Sequence, residues 1–191
     1  MFAAVLDTCV LWPSLQRDVL LSLAAENLYR PLWSTAILDE LEFHEARKLE
    51  GRGIDSHTAA TRATHLIEQM ASAFDDACVI GWETLEGSFG LPDPDDEHVV
   101  AAAVVGGAEA IVSDNLSDLP REKVPTQIRV ITPAAFVADT VAVSPDTAVR
   151  ALQIMITRRA NPPETLEHIL EDLEQRYGMV DAVEMMRVTL R

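Results

Sequence analysis

Three places in the chain put carboxylates where an α/β protein gathers its chemistry. Asp7 ends the apolar run FAAVL, Asp93, Asp95 and Asp96 crowd the entrance to HVVAAAVVGG, and Asp114 and Asp118 follow the short run AIV. An Asp that closes a fully apolar strand tends to be buried, and a buried Asp rarely lacks a partner or a metal. Carboxylates brought together from such places suit Mg2+ or Mn2+, hard cations that prefer oxygen ligands. An ion held this way polarises a phosphoryl oxygen and makes a nucleophile of bound water. That chemistry is phosphodiester hydrolysis without a Ser, Cys or His nucleophile.

Each acid also has a plainer explanation. Asp7 is placed to cap the loop after its strand. PDPDD is turn chemistry, and acids in a helix's first turn meet its dipole favourably. Both explanations hold together if one acid of the cluster caps while another points inward. Glu40 sits inside a helix among Asp39, Glu42, His44 and Glu45, where a solvated charged face is the default. Glu40 and His44 share a face at i, i+4, but a lone E-x-x-x-H is an unspecific metal signal.

The surrounding elements must bring these acids together. FAAVL reads as a buried parallel strand, followed by a helix over SLQRDVLLSLAAEN with Ser14 as its N-cap. YRPLW is extended, Ser34 opens a second helix closed by GRG, and Ser56 caps a third. ACVIGW (77–82) reads as a strand, and AIV (110–112) and RVIT (129–132) as two more. Alternating strands and helices imply an α/β sandwich about a mostly parallel sheet, over residues 1–142. In such sheets ligands bind outside the carboxyl ends of the strands. Residues 143–191 read as an all-helical extension, in which SPDT and NPPE each place a cap residue before Pro. Arg158 and Arg159 form its basic spot; packing on the sheet domain is its simplest role.

The formal net charge of the 191 residues is −16, which argues against holding nucleic acid chiefly by phosphate neutralisation. It leaves open a hydrolase that meets phosphates through bound cations, since the ions reverse the local charge. No apolar run approaches the roughly 20 residues that span a bilayer, and MFAAVLDTCV lacks a basic start. Cys9 and Cys78 lie in apolar segments and read as buried thiols. A cytoplasmic location with no membrane association is expected.

Four segments together, VLDTCVLWPSLQRDVLLSLA, LWSTAILDELE, LPDPDDEHVVAAAVVGGAEAIVSDNLSDLP and NPPETLEHILEDLE, resemble the PIN-domain proteins. They are most similar to a VapC-like toxin branch with a small helical C-terminal domain. The resemblance covers most of the chain in order, and implies a PIN-like three-layer sandwich carrying a Mg2+- or Mn2+-dependent endoribonuclease. It further implies an RNA substrate and an antitoxin encoded beside the toxin. Relatives often dimerise, so a homodimer is among the expected partners.

Residue by residue, Asp7 matches the family's first-strand Asp, Glu40 the Glu of the helix after WS, and Asp96 the Asp before the small-residue helix. The usual fourth position holds Asn115, so Asp118 is the expected fourth acid, with Asp114 as its substitute and Asn115 as an orienting group. Asp93 is a secondary candidate that shapes the turn with Asp95. Arg17, Arg47 and Arg52 would flank the site and guide RNA, although ion pairs or solubility explain them equally well. The competing expectation is a PIN-like module without catalysis that binds protein or RNA. A dehalogenase-type phosphatase is rejected because position 9 is Cys rather than Asp, and a receiver domain because RVITP supplies no Lys.

Overall fold

In a computed structural model describing residues 2–159 and 163–191, four short strands form one sheet in the order β2-β1-β3-β4, with every pair parallel. They are β1 (Ala3–Leu6), β2 (Arg30–Leu32), β3 (Ala110–Val112) and β4 (Arg129–Ile131). All four residues of β1 are buried, as expected of a strand covered on both faces by helices. The chain passes from β1 to β2 on one side and then crosses to β3 on the other. β1 is therefore the point where the strand order reverses, the usual place for a ligand crevice in an open α/β sheet.

The helices α1 (Thr8–Leu11) and α2 (Ser14–Ala25) connect β1 to β2. Between β2 and β3 run α3 (Thr35–Gly51), α4 (Ser56–Ala73) and α5 (Glu97–Gly106). Ser34 caps α3 by accepting from the Ile37 amide, as its sequence predicts. Two caps differ from expectation. Ser14 is the first residue of α2, behind Pro13, and its hydroxyl accepts from Lys48 Nζ at 3.1 Å. Asp55 rather than Ser56 caps α4, its carboxylate accepting from the Thr58 amide at 3.0 Å.

ACVIGW also departs from expectation, because it forms one parallel bridge, Cys78 to Trp33, and no strand. Gly81 adopts a left-handed φ of 84° and starts a short 3-10 turn, Trp82–Leu85, so pairing stops at once. The small residues of α5 do pack closely on the sheet. Ala101, Ala102 and Ala103 are fully buried, and a Cβ at Gly106 would lie 2.8 Å from Val79 and 2.9 Å from Leu32.

After β4 come α6 (Pro133–Val143), α7 (Pro145–Arg158), α8 (Leu166–Tyr177) and α9 (Val180–Thr189). α7 lies against α2, and α9 against α6. Arg159 fastens the join by donating to Asp18 at 2.9 Å and to Glu164 at 2.6 Å. The basic spot expected at Arg158 and Arg159 is thus half spent on structural ion pairs. The expected Asn161–Pro162 helix start lies outside the described residues; α8 begins at Leu166, capped by Thr165. None of the described helices is long and apolar enough to cross a membrane.

Candidate metal centre

Parallel register sets the geometry of the site. Leu6 pairs with Val112 and Val5 with Leu32, so Asp7, Ser113 and Ser34 emerge at one edge of the sheet. The Asp7 amide extends the ladder by donating to the Val112 carbonyl at 3.1 Å. Asp7 is buried, and its Oδ2 accepts from the Ser113 hydroxyl at 2.6 Å and from the Cys9 thiol at 3.1 Å. Oδ1 has no hydrogen-bond partner among the described residues. Burial, and then the charge of Asp7, push the Cys9 thiol up to about 12, which keeps it a proton donor to Asp7 rather than a thiolate.

Asp96 enters from the other side of the cleft. It ends the 3-10 turn Pro94–Asp96 and precedes α5, yet its side chain makes no capping bond. Capping falls to Asp93, whose Oδ1 accepts from the Asp95 amide at 3.0 Å. This division of labour leaves the Asp96 carboxylate free to face inward. Burial raises it to about 6, with the charges of Asp7, Asp93 and Asp118 adding to the effect. Crowded carboxylates of this kind ionise reluctantly until a cation arrives.

Glu40 is held from two directions. Its Oε2 accepts from the Thr8 hydroxyl at 2.7 Å, and its Oε1 lies 3.4 Å from Nε2 of the buried His98. Because the Glu40 carboxylate can only accept, the neutral His98 ring takes the hydrogen of Ser34 Oγ at Nδ1, 3.4 Å away, while Ser34 Oγ accepts from the Ile37 amide. That leaves the ring hydrogen on Nε2, pointing at Glu40. The His98 bond holds the Glu40 carboxyl below its ordinary value; burial opposes it and the Thr8 bond assists.

Asp7, Thr8, Cys9, Trp12, Glu40, His44, Asp96 and Asn115 line a single cleft of about 420 Å³. Asp118 stands behind it, its Oδ2 accepting from Asn115 Nδ2, which also lies 3.5 Å from Asp96 Oδ2. Asn115 therefore reaches the cleft where Asp118 does not. Asp114 is exposed, its amide donating to Cys9 Sγ at 3.3 Å, and burial followed by the charge of Asp7 raises its carboxyl. Among the described residues, no three His, Cys, Asp or Glu side chains converge closely enough to enclose an ion alone. Such an open arrangement suits Mg2+, which typically takes one or two carboxylates and completes its shell with water and phosphate oxygens. The donors fit a hard cation: all are oxygens, one Asp7 oxygen is unpaired, and Asp96 is short of positive charge.

Sequence reasoning missed Thr8, Ser113 and His98, whose roles depend on neighbours about 30 to 100 residues away. It also missed Glu97, which is 2% exposed and accepts from the Phe89 and Leu91 amides at 3.0 Å each. Burial opposes its ionisation, but these amide bonds keep its carboxyl below the ordinary value. Position in a DPDDEH run disguised it as one more solvated acid. Of the expected flanking cations, Arg17 is buried, donating to the Leu11 carbonyl at 3.0 Å, while Arg47 and Arg52 are exposed.

Residues 3–117 match the family model of the PIN domain, and residues 133–188 match that of the VapC50 C-terminal domain. No curated protein and no solved structure matches the chain.

Proposed function

Because the chain belongs to the PIN domain family, whose VapC-like members are nucleases, we propose that it is a divalent-metal-dependent endoribonuclease and the toxin of a toxin–antitoxin pair. The observation that supports this reading is the cleft at the strand-order reversal, whose lining includes Asp7, Glu40 and Asp96. Asp7, Glu40 and Asp96 would hold Mg2+ or Mn2+, with Asp118 or Asp114 joining through water and Asn115 orienting it. Bound there, the ion supplies Lewis acidity toward a phosphoryl oxygen and a hydroxide at neutral pH.

The chain's own groups prepare that chemistry. Ser113 and Cys9 hold Asp7 by Oδ2 and leave Oδ1 without a hydrogen-bond partner among the described residues. Thr8 and His98 fix Glu40 in its ionised form. Asp96 accepts the burden of crowding, so its ionisation is linked to arrival of the cation. Trp12 and Asn115 close the flanks, offering the substrate an aromatic face and an amide.

The same proposal includes a cognate antitoxin as protein partner, a homodimer, a cytoplasmic location, and a division near residue 142 into nuclease and helical domains. The match of the last helices to the VapC50 C-terminal domain supports the toxin assignment. A nuclease assay on total RNA with Mn2+, with EDTA, and with Asp7→Asn tests the activity. Cleavage by the wild type with Mn2+ alone is expected. Mn2+ binding without cleavage of any RNA would instead indicate a non-catalytic binding module. Co-purification with the product of the adjacent reading frame tests the pairing.

A further inference from the structure

Trp12 borders two clefts at once. Beyond the carboxylate cleft, a second cleft of about 360 Å³ lies between the α1–α2 turn, the end of α3, and α8. Its charged lining is Lys48, Arg52, Arg159 and Arg176 against Glu164 and Asp172. Counting Glu45 and Asp18, which pair with Lys48 and Arg159, four cations face four acids here, so the patch is near neutral on a chain whose net charge is −16. Such local relief from negative charge, directly beside a carboxylate centre, suits a polyanion that must reach that centre.

The cations divide by what they already do. Arg159 is committed to Asp18 and Glu164. Lys48 donates to the Trp12 carbonyl at 3.2 Å and to Ser14, and pairs with Glu45. Arg176 spends one nitrogen on Asp172 at 2.7 Å and lies 5.5 Å from the Tyr177 ring centroid, leaving other donors unspent. Arg52 ends α3 and has no side-chain partner among the described residues.

Trp12 is built as a fixed platform. It is 43% exposed, its indole donates to the His44 carbonyl at 3.3 Å, and Lys48 Nζ lies 5.7 Å from the ring centroid. An exposed indole held in place on both backbone and ring is a sequence-tolerant stacking surface for a nucleobase.

Building on the nuclease reading above, we propose that an RNA strand bound at the carboxylate cleft runs over Trp12 into this second cleft, one base stacked on the indole and the following phosphates held by Arg52 and Arg176. The C-terminal helix α8 then contributes directly to substrate binding. An acidic protein segment fits less well, because continuing past Trp12 it would meet carboxylates of its own sign. A phosphodiester is what those carboxylates would act on through their cation.

The test is binding of a fluorescein-labelled, mixed-sequence, 20-nucleotide single-stranded RNA to the full chain, followed by anisotropy over a range of KCl, with Ca2+ replacing Mn2+ to leave the RNA uncut. Arg52→Glu with Arg176→Glu is expected to weaken binding tenfold or more and to lower the salt slope by about 0.7 for each phosphate no longer neutralised. The milder Arg52→Gln with Arg176→Gln should give the same slope change if the charge reversals disturb folding. Trp12→Ala is expected to cost about fivefold or more with an unchanged slope. Arg62→Glu, a single reversal of the same kind on exposed α4, should stay within twofold. Wild-type binding by the Arg52/Arg176 and Trp12 variants, with RNA still cut by the wild type in Mn2+, overturns the cleft and leaves the nuclease standing. A wild type that neither binds nor cuts RNA overturns both. Loss of antitoxin capture with RNA binding intact would reassign the cleft to a protein and overturn the RNA path.

Discussion

The hydroxyl of Ser113 donates to Oδ2 of Asp7 at 2.6 Å, joining the ends of two neighbouring parallel strands 106 residues apart in sequence. The same Ser113 oxygen accepts from the Asn115 amide at 2.9 Å. One side chain therefore orients the first carboxylate and shapes the loop that carries Asn115 into the cleft.

Ser113→Ala removes both hydrogen bonds and leaves the Asn115 amide without its acceptor. The expected loss of stability is about 1–3 kcal/mol, the usual penalty for unsatisfying buried polar groups. Mn2+ affinity should fall about tenfold or more, as for other supports of metal ligands. Urea unfolding and calorimetric titration read the two effects separately.

Asp96→Asn should abolish Mn2+ binding while the metal-free fold stays as stable or gains. The sign follows from a carboxyl raised to about 6 by burial and by Asp7, Asp93 and Asp118. Ionised above that value, Asp96 destabilises the metal-free protein; protonated below it, the burden disappears. Metal-free wild type should therefore lose stability relative to Asp96→Asn as pH rises from about 4 through about 6. Thermal unfolding of both proteins across that range checks the difference.

The same group makes metal binding pH-dependent in the opposite sense. The ion needs the carboxylate, so Mn2+ affinity should decline below pH 6, approaching about tenfold per pH unit for one displaced proton. A calorimetric series from pH 5 to 8 would show it. Affinity that is flat over this interval would remove Asp96 from the ligand set.

His98→Ala breaks the Ser34–His98–Glu40 chain and opens space beneath α3. A cost of about 2–4 kcal/mol is expected from the broken hydrogen bonds and the cavity, together with weaker Mn2+ binding. His98→Gln, which can still donate to Glu40, should recover part of the metal affinity; equal affinities for the two variants would deny His98 its positioning role.

Glu97→Ala should destabilise by about 3 kcal/mol, because two loop amides lose a buried charged acceptor. Asp95→Ala, in the same acidic run but exposed, should change stability by less than about 0.5 kcal/mol. Paired urea curves check the contrast between these two acids of one cluster.

Much of the fold could be read from local composition, since β1 and β3 are short apolar runs, β4 carries two β-branched residues, and α5 is a run of small residues that must lie close to a sheet. The strand expected at ACVIGW failed because composition does not reveal a left-handed glycine at position 81. At the site, Asp7 was legible as a polar residue ending an apolar strand. Asn115 at the usual fourth position was legible too, but the facing of its loop was not. Which of Asn115 and Asp118 faces the cleft depends on a loop rotamer fixed by the hydrogen bond between them. Ser14 and Ser56 misled for a related reason: Lys48 occupies one hydroxyl, and Asp55 outcompetes the other.

The most direct measurement is anomalous diffraction from crystals soaked in Mn2+, for wild type and Asp7→Asn. A peak within bonding distance of both Asp7 and Asp96 is expected in the wild type, and its loss in Asp7→Asn. A peak that avoids either carboxylate, or that persists unchanged in Asp7→Asn, would contradict a metal held by both.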